Sequence, residues 1–198
     1  MFVELFAGKG LLSNAVVKEG VPTMKPDDLA SGGTDFADHK EVEQLKTRLL
    51  EWHEQGSRFV IHLAPPCSTF SRVRDRSAKT RLRSPEFPEG LDSKNEQVTY
   101  ANRVADNAYG SARWAAQPPL LAAVTVENPA KSYFWDYVGK LGAEEEFVDV
   151  IFSQCRFGTP YKKTPVCDVG IARWTSWTND ARWLAPPLRV AGPDHRDM

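Results

Sequence analysis

The chain has 198 residues, of which 41% are hydrophobic and 26% are charged, proportions typical of one globular domain. This composition excludes disordered, collagen-like and coiled-coil proteins, because each of those classes departs strongly from the globular average. Lysine and arginine together number 25 and aspartate and glutamate 26, which gives a formal net charge of −1. Any nucleic-acid-binding surface must therefore be local.

The cysteines and histidines show no pattern typical of cross-links or metal sites. The three cysteines, Cys67, Cys155 and Cys167, include no CxxC pair, which argues against a disulfide framework and against a zinc cluster. The four histidines lack ligand spacing. The sequence also shows no apolar leader and no apolar run of membrane-spanning length. These features predict an intracellular protein that has no membrane anchor and no metal.

Apolar runs and helical periodicities alternate along the chain. Strands are predicted at residues 2–6, 20–24, 58–64, 120–126 and 147–152, and helices from Leu11, at 38–55 and at 98–112. The polar residues 68–95 are predicted to form a loop that covers a cleft. The alternation of strands and helices favours an α/β fold with a mostly parallel, doubly wound sheet.

The first candidate site is the glycine turn that follows the first strand, with Gly8 and Gly10. Glycines at a strand-to-helix turn let a cofactor approach the backbone, and an acid some twenty residues later, here Asp27, can bind ribose hydroxyls. Ser13 stands where a dinucleotide fingerprint has its third glycine, which weakens the prediction of a pyrophosphate site. In the alternative interpretation, the glycines serve only the geometry of the turn.

Two further candidates follow predicted strands. Pro65 and Pro66 stiffen the turn before Cys67 and fix its direction, which suits a nucleophile; the alternative is a small buried cysteine. Glu127 and Asn128 follow the strand at 120–126, at the sheet edge where ligands bind in such folds. The alternative there is a helix cap formed by Asn128.

In this order, the three segments resemble the DNA cytosine-5 methyltransferase family. The matching motifs are Glu4-Leu5-Phe6-Ala7-Gly8, Pro65-Pro66-Cys67 and Glu127-Asn128. Compact members from viruses and mobile elements are similar also in Ser71-Arg72-Val73-Arg74 and in residues 82–91. The resemblance spans about residues 2–168. It implies a Rossmann-like S-adenosylmethionine-dependent methyltransferase domain over 1–172 with a mobile basic loop at 68–95, a Trp-rich extension at 173–198 and no separate target-recognition domain.

The resemblance also implies the cofactor and the reaction. S-adenosylmethionine would bind at the glycine turn, with Asp27 at its ribose and Asp35 at its adenine. The full set of implied cofactor residues is Phe6, Ala7, Gly8, Gly10, Leu11, Asp27, Asp35, Phe36 and Pro65. Cys67 would attack C6 of a flipped cytosine, while Glu127, followed by Asn128, would hydrogen-bond the N3 and amino edge of the base.

The stretch from Phe157 to Pro165 resembles the later basic motif of the family. Pro165 stands where the usual arginine contacts O2 of the base, and the candidate substitutes are Lys162, Lys163 and Arg156. Of these, Lys163 is predicted as the catalytic residue and Lys162 as a DNA contact. A solvated basic turn is the alternative for both lysines. The sequence departs from the family also at Ser68, where glutamine is usual, and at Pro129, where valine is usual.

Residues 72–83 carry six cationic side chains against one acid, a local net charge of +5. Such a run beside a nucleophile favours contact with DNA phosphates, and the alternative is a solvated loop. The predicted nucleic-acid-binding residues are Ser68, Arg72, Arg74, Arg76, Arg81, Arg83 and Lys162. Because the resemblance implies no separate target-recognition domain, a partner protein or a second copy of the chain would complete target recognition.

Two other functions stay open at this point. The chain could be a module that binds S-adenosylmethionine and nucleic acid with impaired catalysis, or it could methylate C5 of cytosine in RNA or in a nucleotide. The motifs do not distinguish between DNA, RNA and a free nucleotide as the substrate.

Overall fold

The strands form one sheet in the computed structural model, which describes residues 1–141, 147–153 and 169–175. The sheet order is β1-β2-β3-β5-β4. The strands are β1 (Phe2–Leu5), β2 (Val60–Leu63), β3 (Ala123–Pro129), β4 (Phe147–Ser153) and β5 (Val169–Thr175). Strands β1, β2 and β3 pair in parallel, whereas β5 is antiparallel both to β3 and to β4. Four strands therefore run in one direction, and β5 runs in the other.

Helices connect the parallel strands. They are α1 (Leu11–Lys18), α2 (His39–Glu54), α3 (Glu96–Ala116) and α4 (Tyr133–Gly139), with short 3-10 turns at Leu29–Ser31 and Arg72–Arg76. The predicted α/β class and the parallel arrangement of the first strands are thus confirmed.

Alternate residues of the parallel strands face opposite sides of the sheet. On one side, Leu5, Ile61 and Leu63 form an apolar layer with α2 and α3, for example with Leu45 and Leu49 of α2. Each such buried side chain contributes about 1.5 to 3 kcal/mol to the free energy of unfolding. This layer is the core that holds the three parallel strands in register.

The other side of the sheet carries a row of polar residues. Glu4, His62 and Thr125 are neighbours across β1, β2 and β3. Nδ1 of His62 lies 2.7 Å from Oγ1 of Thr125, and burial lowers the pKa of the imidazole. Oε2 of Glu4 accepts a hydrogen bond from the backbone N–H of Ser13, in the first turn of α1, at 2.7 Å. Helix α1 contacts this polar side of the sheet, and α2 and α3 pack on the apolar side. Helices therefore cover both faces of the sheet.

The predicted strand at 20–24 is reduced to isolated bridges. Thr23 pairs with Phe2, and Asp27 with Leu5, both in parallel. Pro22 and Pro26 have no N–H to donate, so a continuous ladder with β1 cannot form there.

Two elements differ from the expectations. The short aromatic helix α4 was not predicted; Oγ of Ser132 caps it by accepting a hydrogen bond from the N–H of Phe134 at 3.2 Å. Strand β5 was not predicted either. It ends at Thr175, so the predicted boundary at residue 173 falls inside this strand, and the rest of the predicted extension, 176–198, lies outside the described residues.

Within the described ranges, no helix combines the length and the apolar character needed to cross a membrane. The same part of the chain contains no group of three or more histidine, cysteine, aspartate or glutamate side chains that could hold a metal ion.

Candidate functional site

The three segments singled out from the sequence lie at one edge of the sheet. Leu5, Leu63 and Val126 are neighbours across the three parallel strands, and each of the three segments continues from one of them in the same direction. The glycine turn follows Leu5, the Pro-Pro-Cys segment follows Leu63, and Glu127 comes directly after Val126. The structure thus brings the predicted cofactor turn, nucleophile and carboxylate to the carboxyl ends of adjacent strands, where ligands bind in this class of fold.

A hydrogen bond joins the second segment to the third. Asn128 is only 1% exposed, and its Nδ2 donates to the carbonyl oxygen of Pro65 at 2.8 Å. The Oδ1 of the same amide has no hydrogen-bond partner among the described residues. Asn128 therefore holds the Pro-Pro turn against β3, which fixes the chain just before Cys67.

Cys67 and its neighbours lie between the sheet edge and solvent. The Cys67 side chain is half-buried, while Ser68 is exposed. The carbonyl oxygen of Ser68 accepts a hydrogen bond from Nε of Arg74 at 2.8 Å, which folds the start of the basic loop back onto this turn. Cys67 is therefore neither enclosed in the core nor fully exposed.

Glu127 lies on the same face of the sheet as Thr125 and is half-buried. Burial raises the pKa of its carboxyl, because removal from water disfavours the charged form. A carboxyl of this kind keeps its proton to higher pH than an exposed one, which suits a group that donates a hydrogen bond or a proton.

Two carboxylates occupy backbone donors at the glycine turn. The N–H of Gly8 donates to Oδ2 of Asp28 at 2.8 Å, and Glu4 accepts from the first turn of α1. A pyrophosphate uses such N–H groups, so these negative charges disfavour a dinucleotide and favour a cationic ligand. Sequence reasoning missed Asp28; the spacing that suggested Asp27 also admits its neighbour.

Asp27 itself serves the local fold. It is 8% exposed; its Oδ1 accepts from the N–H of Thr34 at 2.7 Å and its Oδ2 from Oγ1 of Thr34 at 2.8 Å. These bonds close the loop that leads to Asp35. A role for Asp27 at ribose hydroxyls stays a prediction.

Asp35 and Phe36 lie near the other predicted cofactor residues. The ring of Phe36 packs 4.5 Å, centroid to centroid, from the ring of Phe6. Oδ1 of Asp35 accepts hydrogen bonds from the N–H of Ala37 at 2.8 Å and from the hydroxyl of Tyr100 at 3.0 Å. Tyr100, on α3, was missed from the sequence, because nothing in its position along the chain indicates this contact.

A cavity of about 810 Å³ opens between the Pro-Pro-Cys segment and α3. Its apolar walls include Pro65, Phe70, Tyr100 and Val104. Polar groups at the same cavity come from Ser68, Arg74 and Arg103, among others. A volume of this size, with mostly apolar walls and a few polar groups, is typical of small-molecule sites. Leu11, another predicted cofactor residue, is exposed at the start of α1.

The basic loop is attached to α4. Arg72 donates from Nη2 to Asp136 at 3.0 Å and lies over the ring of Tyr133, 4.4 Å from its centroid. Arg81 lies 3.8 Å from Asp75, an ion pair that is partly exposed. Arg76 is exposed in the same loop.

Arg83 departs from the expectation of a DNA contact. It is 1% exposed, and its guanidinium is enclosed by residues of the loop, α3 and the segment after Cys67. A phosphate cannot reach it in this arrangement. The run of cationic residues at 72–83 predicted a shared role at DNA phosphates, but burial separates Arg83 from the others.

Lys162, Lys163 and Pro165 lie outside the described residues, so their predicted roles stay predictions. When the chain was compared with protein-family models, with curated proteins and with solved structures, no match was found. The site must therefore be judged by its own chemistry.

The glycine turn allows a prediction that separates backbone strain from packing against Pro26. Both glycines have left-handed φ values, +54° at Gly8 and +64° at Gly10. A Cβ at Gly10 would lie 3.0 Å from Cγ of Pro26, whereas a Cβ at Gly8 would meet open space. In urea denaturation we expect Gly10→Ala to lower the free energy of unfolding by about 2 kcal/mol and Gly8→Ala by about 1 kcal/mol. Equal losses would contradict the packing against Pro26.

Proposed function

We propose that this protein is an S-adenosylmethionine-dependent methyltransferase that methylates C5 of cytosine in DNA. The observation that carries the proposal is the Asn128 to Pro65 hydrogen bond, which ties the cysteine segment to the carboxylate segment at adjacent strand ends. A nucleophile and a proton donor held at one edge are what attack on an aromatic base requires. The family resemblance of the motifs supports the same reaction.

The carboxylates at the glycine turn support this choice of cofactor. S-adenosylmethionine has no phosphate and carries a sulfonium and an ammonium group, so the carboxylates of Glu4 and Asp28 at the turn suit it better than they suit a dinucleotide. Phe6, Gly8, Asp35 and Pro65, with Asp27 or Asp28, would hold it. When bound, it supplies an electrophilic methyl group.

Cys67 acts as the nucleophile in this proposal. Its thiolate bonds to C6 of cytosine, which makes C5 electron-rich and able to accept the methyl group. The proton at C5 then passes to water, the electrons of the C5–H bond restore the double bond between C5 and C6, and the bond between sulfur and C6 breaks, so the thiolate is regenerated. The rigid Pro65-Pro66 turn sets the direction of the attack.

Glu127 balances charge on the base during this attack. Addition of the thiolate places negative charge on the ring, and a protonated carboxyl at N3 neutralises it. The raised pKa of Glu127 favours the protonated form that this step requires. Glu127 lies beside Asn128, so the same segment supplies the acid and the tie to the nucleophile.

The basic loop supplies the contacts to DNA. Arg74, Arg76 and Lys79 lie on the loop that directly follows Cys67, so phosphate contacts there would hold the strand next to the nucleophile. The target base must leave the helical stack to reach the thiol. Because the loop's contacts are to phosphates, we expect weak sequence selectivity and strong dependence on salt.

Mass spectrometry of nucleosides tests the proposal. DNA and RNA are isolated from cells that express the protein and are digested, and the methylated nucleosides are identified. We expect 5-methylcytosine in DNA. Methylation of an exocyclic amine would contradict the reaction, and 5-methylcytosine confined to RNA would contradict the substrate. Binding of S-adenosylmethionine without any methylated nucleoside would favour a module that binds but does not catalyse.

A further inference from the structure

Arg83 lies in the basic loop, but its side chain is buried in the interior of the protein. Its Nε donates to the carbonyl oxygen of Thr69 at 3.2 Å and its Nη2 to Oγ1 of the same residue at 2.9 Å. Its Nη1 donates to Oδ1 of Asn102 at 2.8 Å and to the carbonyl oxygen of Pro88. The guanidinium carbon lies 3.6 Å from the centre of the Phe70 ring.

Burial of the charged Arg83 guanidinium costs free energy, which other interactions in the interior must offset. No carboxylate of the described residues forms an ion pair with Arg83; its hydrogen-bond acceptors are carbonyl, hydroxyl and amide oxygens. Burial lowers the pKa of the guanidinium to about 10, which shows how strongly its charge is removed from water. Replacing this guanidinium with an apolar side chain would leave the acceptors at Thr69, Pro88 and Asn102 without their donor.

The partners of Arg83 directly follow the proposed nucleophile. Thr69 and Phe70 are both buried, and only Ser68 separates them from Cys67. The carbonyl oxygen of Phe70 also accepts a hydrogen bond from the N–H of Tyr133 at 2.9 Å. On the other side of Cys67, Asn128 holds Pro65. Cys67 thus lies in a short span that is anchored at both ends.

We propose that Arg83 is a positioning residue for Cys67, acting through its paired hydrogen bonds to Thr69. The effect of Arg83 on catalysis rests on the proposed function, but its effect on the exposure of the Cys67 thiol can be measured without any methyl transfer. The planar guanidinium reaches Thr69 with two donors while two others reach Pro88 and Asn102, an arrangement that the single ammonium of lysine cannot reproduce.

The test compares Arg83→Met and Arg83→Lys with Lys140→Met in a Cys155→Ala/Cys167→Ala background, in which Cys67 is the single cysteine. Lys140 is the matched control, because its Nζ binds Glu89 at 2.9 Å and so holds the same loop without touching Thr69 or Phe70. Two rates are measured well below the melting temperature. These are alkylation of Cys67 by iodoacetamide and formation of the covalent adduct with DNA that contains 5-fluorocytosine.

We expect Arg83→Met to speed alkylation at least about fivefold, because the released span exposes the thiol, and to slow adduct formation by about 10². Arg83→Lys should restore less than half of the lost adduct rate. Lys140→Met should match the background protein in both rates. An Arg83→Met protein with unchanged alkylation, or one that changes no more than Lys140→Met, would overturn the proposal.

Thr69→Val provides a second route, since it keeps the side-chain shape and removes the hydroxyl acceptor of Arg83 Nη2. We expect faster alkylation here too, by at least about twofold, and no change would overturn the proposal even if Arg83→Met fails to fold. A background protein that forms no adduct would contradict the proposed function. The alkylation rates would still decide whether Arg83 anchors Cys67.

Discussion

Cys67→Ala is expected to abolish methyl transfer to cytosine, with a loss of at least about 10⁴-fold in kcat, because alanine offers no atom that can add to C6. The measurement is transfer of a labelled methyl group from S-adenosylmethionine to DNA, under conditions in which the wild-type protein turns over. The same variant should form no covalent adduct with DNA that contains 5-fluorocytosine, since the adduct is the bond between sulfur and C6.

The matched control for this loss is the Cys155→Ala/Cys167→Ala double variant, which removes the other two thiols of the chain and keeps Cys67. We expect it to form the adduct at the wild-type rate. Cys67→Ala should also bind S-adenosylmethionine as the wild-type protein does, because the thiol attacks the base and not the cofactor. Methyl transfer that survives Cys67→Ala would exclude the covalent mechanism and would point to direct attack by an amino group of the base.

Local features of the sequence were enough to place the main parts of the site. A glycine or a proline follows each of the first two strands within three residues, so the ends at Leu5 and Leu63 could be located to within one residue from the chain alone. Parallel strands put their carboxyl ends at one edge. That rule, and not any contact seen in the sequence, predicted that Cys67 and Glu127 lie at the same edge.

The contacts that fix the site were not predictable in the same way. Arg83 binds Thr69 and Asn102, and Tyr100 binds Asp35, across stretches of chain that no periodicity connects. In the sequence, Arg83 does not differ from the other cationic residues of the basic loop. Only tertiary packing buries it. Strand β5 was missed for a related reason, because its residues fit the sheet only by pairing with β3 and β4 on either side.

Glu127→Gln is expected to lower kcat for methyl transfer by about 10² to 10³, the usual range for loss of a positioned acid. Glutamine keeps the shape and can still hydrogen-bond, but it cannot hold a proton at N3 of the base. The wild-type kcat should fall as pH rises through the raised pKa of Glu127, and the variant should lack this decline. Glu51→Gln, at an exposed position of α2, is the matched control and should behave as the wild-type protein. A variant with wild-type kcat and the same pH profile would exclude Glu127 as the acid.

The same substitution gives a thermodynamic result that does not depend on the reaction. Because burial raises the pKa of Glu127 in the folded protein, the folded state binds the proton more tightly than the unfolded chain does. The contribution of this carboxyl to stability is therefore fully present below its unfolded pKa and is lost as pH rises through the folded value. Glu127→Gln removes that loss, so its melting temperature relative to wild type should rise from acid to neutral pH. A difference that stays constant over that interval would show that the carboxyl is not desolvated and that burial does not favour its protonated form.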